Sequence, residues 1–274
     1  MKKKTILITG ASSGIGHASA RRFQAEGWNV AATMRTPSKG AALAALPGVK
    51  VLRLDVTDRD SIYAAVEGCI VHFGGLDVVL NNAGYGLAGA MEAASPAQIE
   101  RQFATNVYGP IYVMQACLPH FRAQEAGLIL NVSSVGGRIT YPLNALYHGT
   151  KFAMEGISES LAMEVAAFNV RVKLIEPGGV RTDFAGRSMA FAQKEGLDAY
   201  DEAGGRVQAA YMAPERDALR SDPEDTADVI FRAATDGADT LRYVAGADAE
   251  QLLAMRGQLS DEAFRATILS VFNL

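Results

Sequence analysis

The chain has 274 residues, 49% of them apolar and 20% charged, with a formal net charge of −4 at neutral pH. That is enough apolar material for one sizeable core. The slight acidity argues against a nucleic-acid surface, and no apolar run approaches the ~20 residues of a membrane helix.

The start, Lys2-Lys3-Lys4, is basic, but the apolar run behind it breaks at Thr9-Gly10. That run is too short for a secretory leader, so a cytoplasmic protein is expected. Seven short, mostly β-branched runs follow: Thr5–Thr9, Trp28–Met34, Val49–Leu54, Leu76–Asn81, Leu128–Ser133, Val170–Ile175 and Leu241–Ala245. They are continuously apolar rather than alternating, as parallel strands buried on both faces must be. Segments of helical length and period separate them. The expected fold class is therefore α/β, a single doubly wound parallel sheet of about seven strands with helices on both faces.

Helix starts are legible along the way. Thr57 is expected to cap one helix, with Asp60 in its first turn. Ser95-Pro96-Ala97-Gln98 combines a cap, a first-position proline and a Gln three residues after the cap, and Asp222-Pro223-Glu224-Asp225 repeats that logic. Cys69 and Cys117 match neither a zinc spacing nor a redox pair, so both are expected to be buried and reduced, and no metal site is expected. Residues 1–274 read as one domain. Residues 184–221 break the rhythm, being rich in Gly, Ala, Met and charge without a clear strand, and are expected to be an inserted loop or loose helical pair. Residues 246–274 form an amphipathic C-terminal extension.

The first strand runs straight into Gly10-Ala11-Ser12-Ser13-Gly14-Ile15-Gly16, with a helical pattern beyond. A glycine turn between strand and helix brings backbone amides, and the positive end of a helix, up to an anion such as a pyrophosphate. The second strand ends Met34-Arg35, where an acid would bind ribose hydroxyls and repel a 2′-phosphate. A guanidinium suits that phosphate, so NADP(H) is expected to be preferred, with NAD(H) possible. Tyr147 and Lys151 stand four apart and share one helix face. An ammonium beside a phenol is expected to lower the phenol pKa toward working pH, making Tyr147 an acid or base.

These residues sit within TGASSGIG at 9–16, LDVTD containing Asp55, NNAG at 81–84, TNVYG containing Asn106, Ser134, YHGTK at 147–151 and PGGVRTD at 177–183. In order and spacing the chain resembles the classical short-chain dehydrogenase/reductase family, in its hydroxysteroid- and retinol-dehydrogenase-like branch. The resemblance implies a Rossmann-type, dinucleotide-binding catalytic domain. It implies catalytic roles for Tyr147 (proton transfer), Ser134 (holding the substrate oxygen), Lys151 (lowering the phenol pKa and holding a ribose) and Asn106 (supporting a water). Gly10, Ser12, Ser13, Gly14, Ile15, Gly16, Arg35, Asp55, Val56, Asn82, Ala83, Gly84, Tyr147, Lys151, Pro177, Gly178, Val180 and Thr182 would contact the cofactor. His148 and Thr150 depart from the family's usual Ala and Ser and are expected to point away from the Tyr147/Lys151 face.

The resemblance makes residues 184–221 a substrate loop. Phe184, Met189, Phe191, Tyr200, Tyr211 and Met212 within it are consistent with a lid over an apolar alcohol or carbonyl substrate. Relatives associate through the helices of Asn106 and Tyr147, so a homodimer or homotetramer is expected, without nucleic-acid or membrane partners. A non-catalytic NADP(H)-sensing regulator is the alternative, but such proteins generally lose the tyrosine or the lysine, and here both are present. An epimerase or dehydratase would usually carry a longer C-terminal domain.

Overall fold

A computed structural model describes residues 3–182 and 188–274. Seven strands form one parallel sheet: β1 (Thr5–Ile8), β2 (Asn29–Met34), β3 (Val49–Arg53), β4 (Val78–Asn81), β6 (Gly127–Val132), β7 (Val170–Pro177) and β9 (Arg242–Ala245). The order across the sheet is β3-β2-β1-β4-β6-β7-β9. It reverses beside β1, which pairs with β2 on one side and β4 on the other. In such sheets the crevice at the C-terminal strand ends beside the reversal is where ligands bind.

The continuously apolar runs have a direct cause. Ile6 and Ile8 of β1 enter one core while Leu7 between them enters the other, and Leu128, Ile129 and Leu130 of β6 divide the same way. On the first face lie α1 (Gly14–Ala25) and α9 (Pro223–Thr235), which contribute Phe23 and Ile230. On the second lie α3 (Arg59–Phe73), α5 (Gly109–Ala123) and α6 (Ala145–Val165), which contribute Ile62, Phe121 and Met154. Cys69 and Cys117 are free and buried in this second core.

A third, smaller core sits over the loop after β6. Val135 and Ile139 of that loop meet Val207 of α7 (Asp201–Tyr211), Ala249 of α10 (Ala247–Gln258), and Phe264 and Ile268 of α11 (Asp261–Val271). The C-terminal segment is thereby seated against the sheet's C-terminal edge.

Three expectations need correction. The segment beyond β7 does contain a strand: β8 (Met189–Phe191) pairs in parallel with β5 (Gly86–Ala88), from Gly86↔Met189 to Ala88↔Phe191. A three-residue strand is too short to carry a period of its own; its partner lies far away in sequence. The cap of α3 is Asp58, not Thr57, because its carboxylate accepts from the Ser61 backbone N–H at 3.2 Å. Ser133 and Ser134 lie beyond β6, and Ser134 instead caps a short 3₁₀ turn, accepting from Gly136 N–H at 3.0 Å. Asp183 and Phe184 lie outside the described residues. Among the described residues no helix is long and apolar enough to cross a membrane, and no cluster of three His, Cys, Asp or Glu is arranged to hold a metal.

Candidate active site

The glycine turn is clasped to the end of β4 by Thr9. Its hydroxyl accepts from the backbone N–H groups of Asn82 (2.9 Å) and Ala83 (3.0 Å), and Asn82 Nδ2 donates back to the carbonyls of Thr9 (2.9 Å) and Gly10 (3.3 Å). Gly10 has φ +70°, the left-handed region that favours glycine. A Cβ on Gly16 would stand 2.5 Å from both Asn82 Nδ2 and the Gly10 carbonyl oxygen, so only glycine lets α1 start this close to the turn. Thr182, from the loop after β7, reaches the same turn from the far side, 3.2 Å from where a Gly14 Cβ would be.

The catalytic candidates are positioned by α6. Asn131 on β6 accepts from Asn81 Nδ2 of β4 (2.9 Å) and donates to Ser158 Oγ of α6 (2.8 Å), while Lys151 Nζ donates to the Val132 carbonyl at the end of β6 (2.9 Å). These bonds hold the first turns of α6, with Tyr147, at the sheet's C-terminal edge. The Tyr147 hydroxyl is hydrogen-bonded with Ser134, and the ammonium of Lys151 is 5.8 Å from the Tyr147 ring centre.

The glycine turn, Ser134, Tyr147 and Lys151 face one cleft of about 1700 Å³. Of the residues expected in the site, Gly10, Ser12, Ser13, Gly14, Ile15, Arg35, Asp55, Val56, Asn82, Ala83, Gly84, Ser134, Tyr147, Lys151, Pro177, Gly178, Val180 and Thr182 line it. Gly16 and Asn106 do not; Gly16 packs beneath the turn. Asn106 is buried in a π-helical turn (Ala104–Tyr108). Its Oδ1 accepts from Tyr85 N–H (3.1 Å), and its Nδ2 donates to the Tyr85 carbonyl (2.8 Å) and to Thr150 Oγ1 (3.2 Å). Arg35 stands exposed at the lip and makes no ion pair among the described residues. Asp55 turns the neighbouring loop by accepting from Thr57 N–H (3.0 Å) and Oγ1 (2.8 Å). Met189, Phe191, Tyr200, Tyr211 and Met212 also line the cleft.

His148 lines the same cleft as Tyr147 and Lys151, Thr150 does not, and neither is idle. His148 is buried, with Nδ1 2.7 Å from the Gly136 carbonyl and Nε2 accepting from Tyr141 N–H at 2.9 Å. That pairing requires the neutral ring with its proton on Nδ1, and burial accordingly lowers its pKa. It pins the Ser134 loop to α6. Thr150 receives the Asn106 amide and donates to the Tyr147 carbonyl at 2.7 Å. Of these bonds only the one from Thr150 to Tyr147 lies within α6; the other partners come from other elements, and no local pattern announces them.

The expectation that Lys151 draws the phenol pKa down is not met in this protein as it stands. Burial pushes the Tyr147 phenol above its ordinary value, opposed by the hydrogen bond with Ser134. Burial also lowers Lys151 to about 8, opposed by the charge of Glu155. Desolvation penalises the charged form of both groups, and here it outweighs the Ser134 hydrogen bond at the phenol and the charge of Glu155 at the lysine.

A family model described as short chain dehydrogenase matches residues 4–192. Retinol dehydrogenase 8 of Bos taurus is 35% identical over 249 residues, covering 84% of this chain and 77% of that protein. Among solved structures, a short-chain dehydrogenase from Streptomyces avermitilis is 32% identical, with a TM-score of 0.83 and coverage of 94% of this chain and 95% of that one. ElxO with NADP bound is 26% identical, with a TM-score of 0.72 and coverage of 89% and 96%.

The Lys151 shift has a consequence for stability. Its pKa falls from 10.5 to about 8 on folding, so between those values the unfolded chain binds the extra proton and stability at this position rises with pH. Below the folded value the cost is complete, on the order of 3 kcal/mol at 1.36 kcal/mol per pKa unit; above the unfolded value it vanishes. Urea unfolding of Lys151→Met against wild type, without added nucleotide, is expected to show a stability difference favouring the variant more at pH 7.5 than at about pH 10.5. A difference that does not change with pH would refute the assignment.

Proposed function

The chain belongs to the short-chain dehydrogenase family, whose members are oxidoreductases, and from that membership we propose that it interconverts an alcohol and a ketone or aldehyde with NADP(H), on an apolar substrate, using Tyr147 as general acid and base. One observation carries the reading: Tyr147, Ser134 and Lys151 meet along a cleft that also holds the glycine turn and the unpaired Arg35.

The cradle suits a dinucleotide. Gly10 and Gly16 let the turn pack against Asn82 and Ala83, where a side chain would collide, and the start of α1 offers amides to a pyrophosphate. Arg35 would take a 2′-phosphate, its five N–H donors being paired with no carboxylate among the described residues. Asp55 and Val56 would flank the adenine, Lys151 would hold the nicotinamide ribose, and Val180 and Thr182 would hold the carboxamide. When bound, the nucleotide supplies or accepts the hydride.

The chain's own residues handle the proton. In reduction, Tyr147 donates to the carbonyl oxygen; its raised pKa keeps it protonated for that task. Ser134 hydrogen-bonds the same oxygen and stabilises the charge developing on it. Lys151, close to its own titration point, favours the phenolate when charged and so supports the reverse step. Asn106 keeps the Tyr85 loop against α6 through Thr150. The apolar wall of Met189, Phe191, Tyr211 and Met212 supports an apolar substrate, as does similarity to a retinol dehydrogenase. Similarity to a protein solved with NADP supports the choice of cofactor.

The same reading includes a homodimer or homotetramer formed through α5 and α6. Tyr108, Phe152 and Met163 on or next to these helices are 51%, 45% and 73% exposed, apolar area that a partner would cover.

Three outcomes are expected. Tyr147→Phe should lose about 10²–10⁴-fold in turnover of an apolar ketone with NADPH while NADPH fluorescence titration shows binding retained; a variant as active as wild type would refute the role. Arg35→Asp should shift the kcat/KM ratio from NADPH toward NADH by roughly tenfold or more, the scale of one charge-assisted hydrogen bond. Light scattering should give a mass of at least twice the 29.1 kDa of one chain; a monomer mass would sink the proposed assembly.

A further inference from the structure

Among the described residues, a half-buried arginine of the cleft wall meets no carboxylate. Arg216, in the short helix α8 (Pro214–Ala218), lines the cleft and is half-buried. Its guanidinium carbon lies 4.5 Å from the ring centre of Tyr211, 5.0 Å from that of Tyr141 and 5.6 Å from that of Phe272. Those rings contact one another at 5.5–6.2 Å and form a cage around it. The Tyr141 hydroxyl accepts one hydrogen bond from it.

Four of the other five described arginines at similar burial meet carboxylates. Arg22 meets Glu26 and Asp228, Arg220 meets Asp217, Arg242 meets Glu155 and Glu159, and Arg256 meets Asp261; Arg171 bonds the Ala238 carbonyl. Arg216 meets no carboxylate among the described residues. A desolvated charge is retained at a cost unless something pairs with it. Ring faces offset part of that cost and also fix the guanidinium in place. They leave most of its planar fork of donors unused, and that fork matches a carboxylate in bidentate geometry.

Arg216 is also near the reacting end of the cleft. Tyr211, one wall of the cage, takes a hydrogen bond on its hydroxyl from Asn144 Nδ2 at 3.3 Å, and Asn144 caps α6, three residues before Tyr147. Tyr141, another wall, stacks edge-on to His148 at 5.8 Å, which in turn lies 5.9 Å from the Tyr147 ring. Tyr141, Tyr211 and Arg216 line the same cleft as Ser134 and Tyr147. Asp248, a carboxylate of this cleft, accepts from the Gly179 N–H at 2.6 Å through Oδ2, and its buried Oδ1 has no hydrogen-bond partner among the described residues.

We propose that Arg216 is the counter-ion of an acidic substrate: the cleft takes an apolar ketone or aldehyde that carries a carboxylate at the end remote from its carbonyl. This rests on reading the cleft as the carbonyl-substrate site, and it narrows the substrate to an oxo acid.

The test compares a long-chain ω-oxo carboxylic acid with its methyl ester on the full-length, NADPH-loaded protein, by calorimetric binding to Tyr147→Phe and by turnover in wild type. The acid is expected to bind, and to react by kcat/KM, at least about tenfold better than the ester, a preference of the size one charge-assisted contact supplies. Arg216→Gln should bring the acid-to-ester ratio close to one, and Arg216→Lys should keep much of it. Acid and ester bound equally by the parent protein, or a preference that survives Arg216→Gln, overturns the proposal. Turnover of both compounds without preference removes the anion site and leaves the reaction intact. Arg216-dependent binding of the acid without turnover leaves the site and removes the reaction.

Discussion

Lys151 reaches from the second turn of α6 to the last carbonyl of β6, and the candidate site depends on that reach. Together with the Asn81–Asn131–Ser158 chain of buried hydrogen bonds, it sets both the height and the rotation of α6 on the sheet. An unmet buried donor or acceptor costs about 1–3 kcal/mol, so a slide of α6 along the sheet would break several such bonds at once. Tyr147 is carried passively by this arrangement. Its hydroxyl meets Ser134 because α6 can dock at one height only.

Behind this clamp lies a charged layer that does similar work for the neighbouring strands. Glu155, one turn beyond Lys151, and Glu176, beside Pro177 at the end of β7, are both buried. Arg242 of β9 bridges them, at 3.0 Å to Glu155 and 3.5 Å to Glu176, and Arg138 reaches Glu176 at 3.3 Å. Burial, and then the charge of Glu155, raise the Glu176 pKa. Removing one partner would leave a desolvated charge uncompensated, so β7, β9, α6 and the Ser134 loop are tied as a unit. His148 completes the tie from the other side of that loop.

Much of the molecule was legible before any coordinate. All seven strands of the main sheet appear where continuous apolar runs stand, with limits differing by at most two residues, because burial on both faces leaves no polar alternation to write. The Tyr147/Lys151 pair was visible because a four-residue spacing is one helix face. The glycine turn was visible because strand, glycine and helix follow one another along the chain. In contrast, β5 and β8 are three-residue strands whose only reason to exist is each other. His148 gave no signal, since its partners are backbone groups of a loop that folds back on α6.

The sequence by itself determined what is periodic or contiguous: the parallel sheet, the order of its helices, the glycine cradle and the identity of the residues that share a helix face. Tertiary structure alone decided what depends on desolvation and on distant partners. It desolvated both groups, which raises the Tyr147 pKa and lowers that of Lys151, the reverse of the direction expected for the phenol from spacing alone. It also gathered Tyr141, Tyr211 and Phe272, remote from one another in the chain, around Arg216. Charge, unlike hydrophobic period, is priced by everything around it, and those surroundings exist only once the chain has folded.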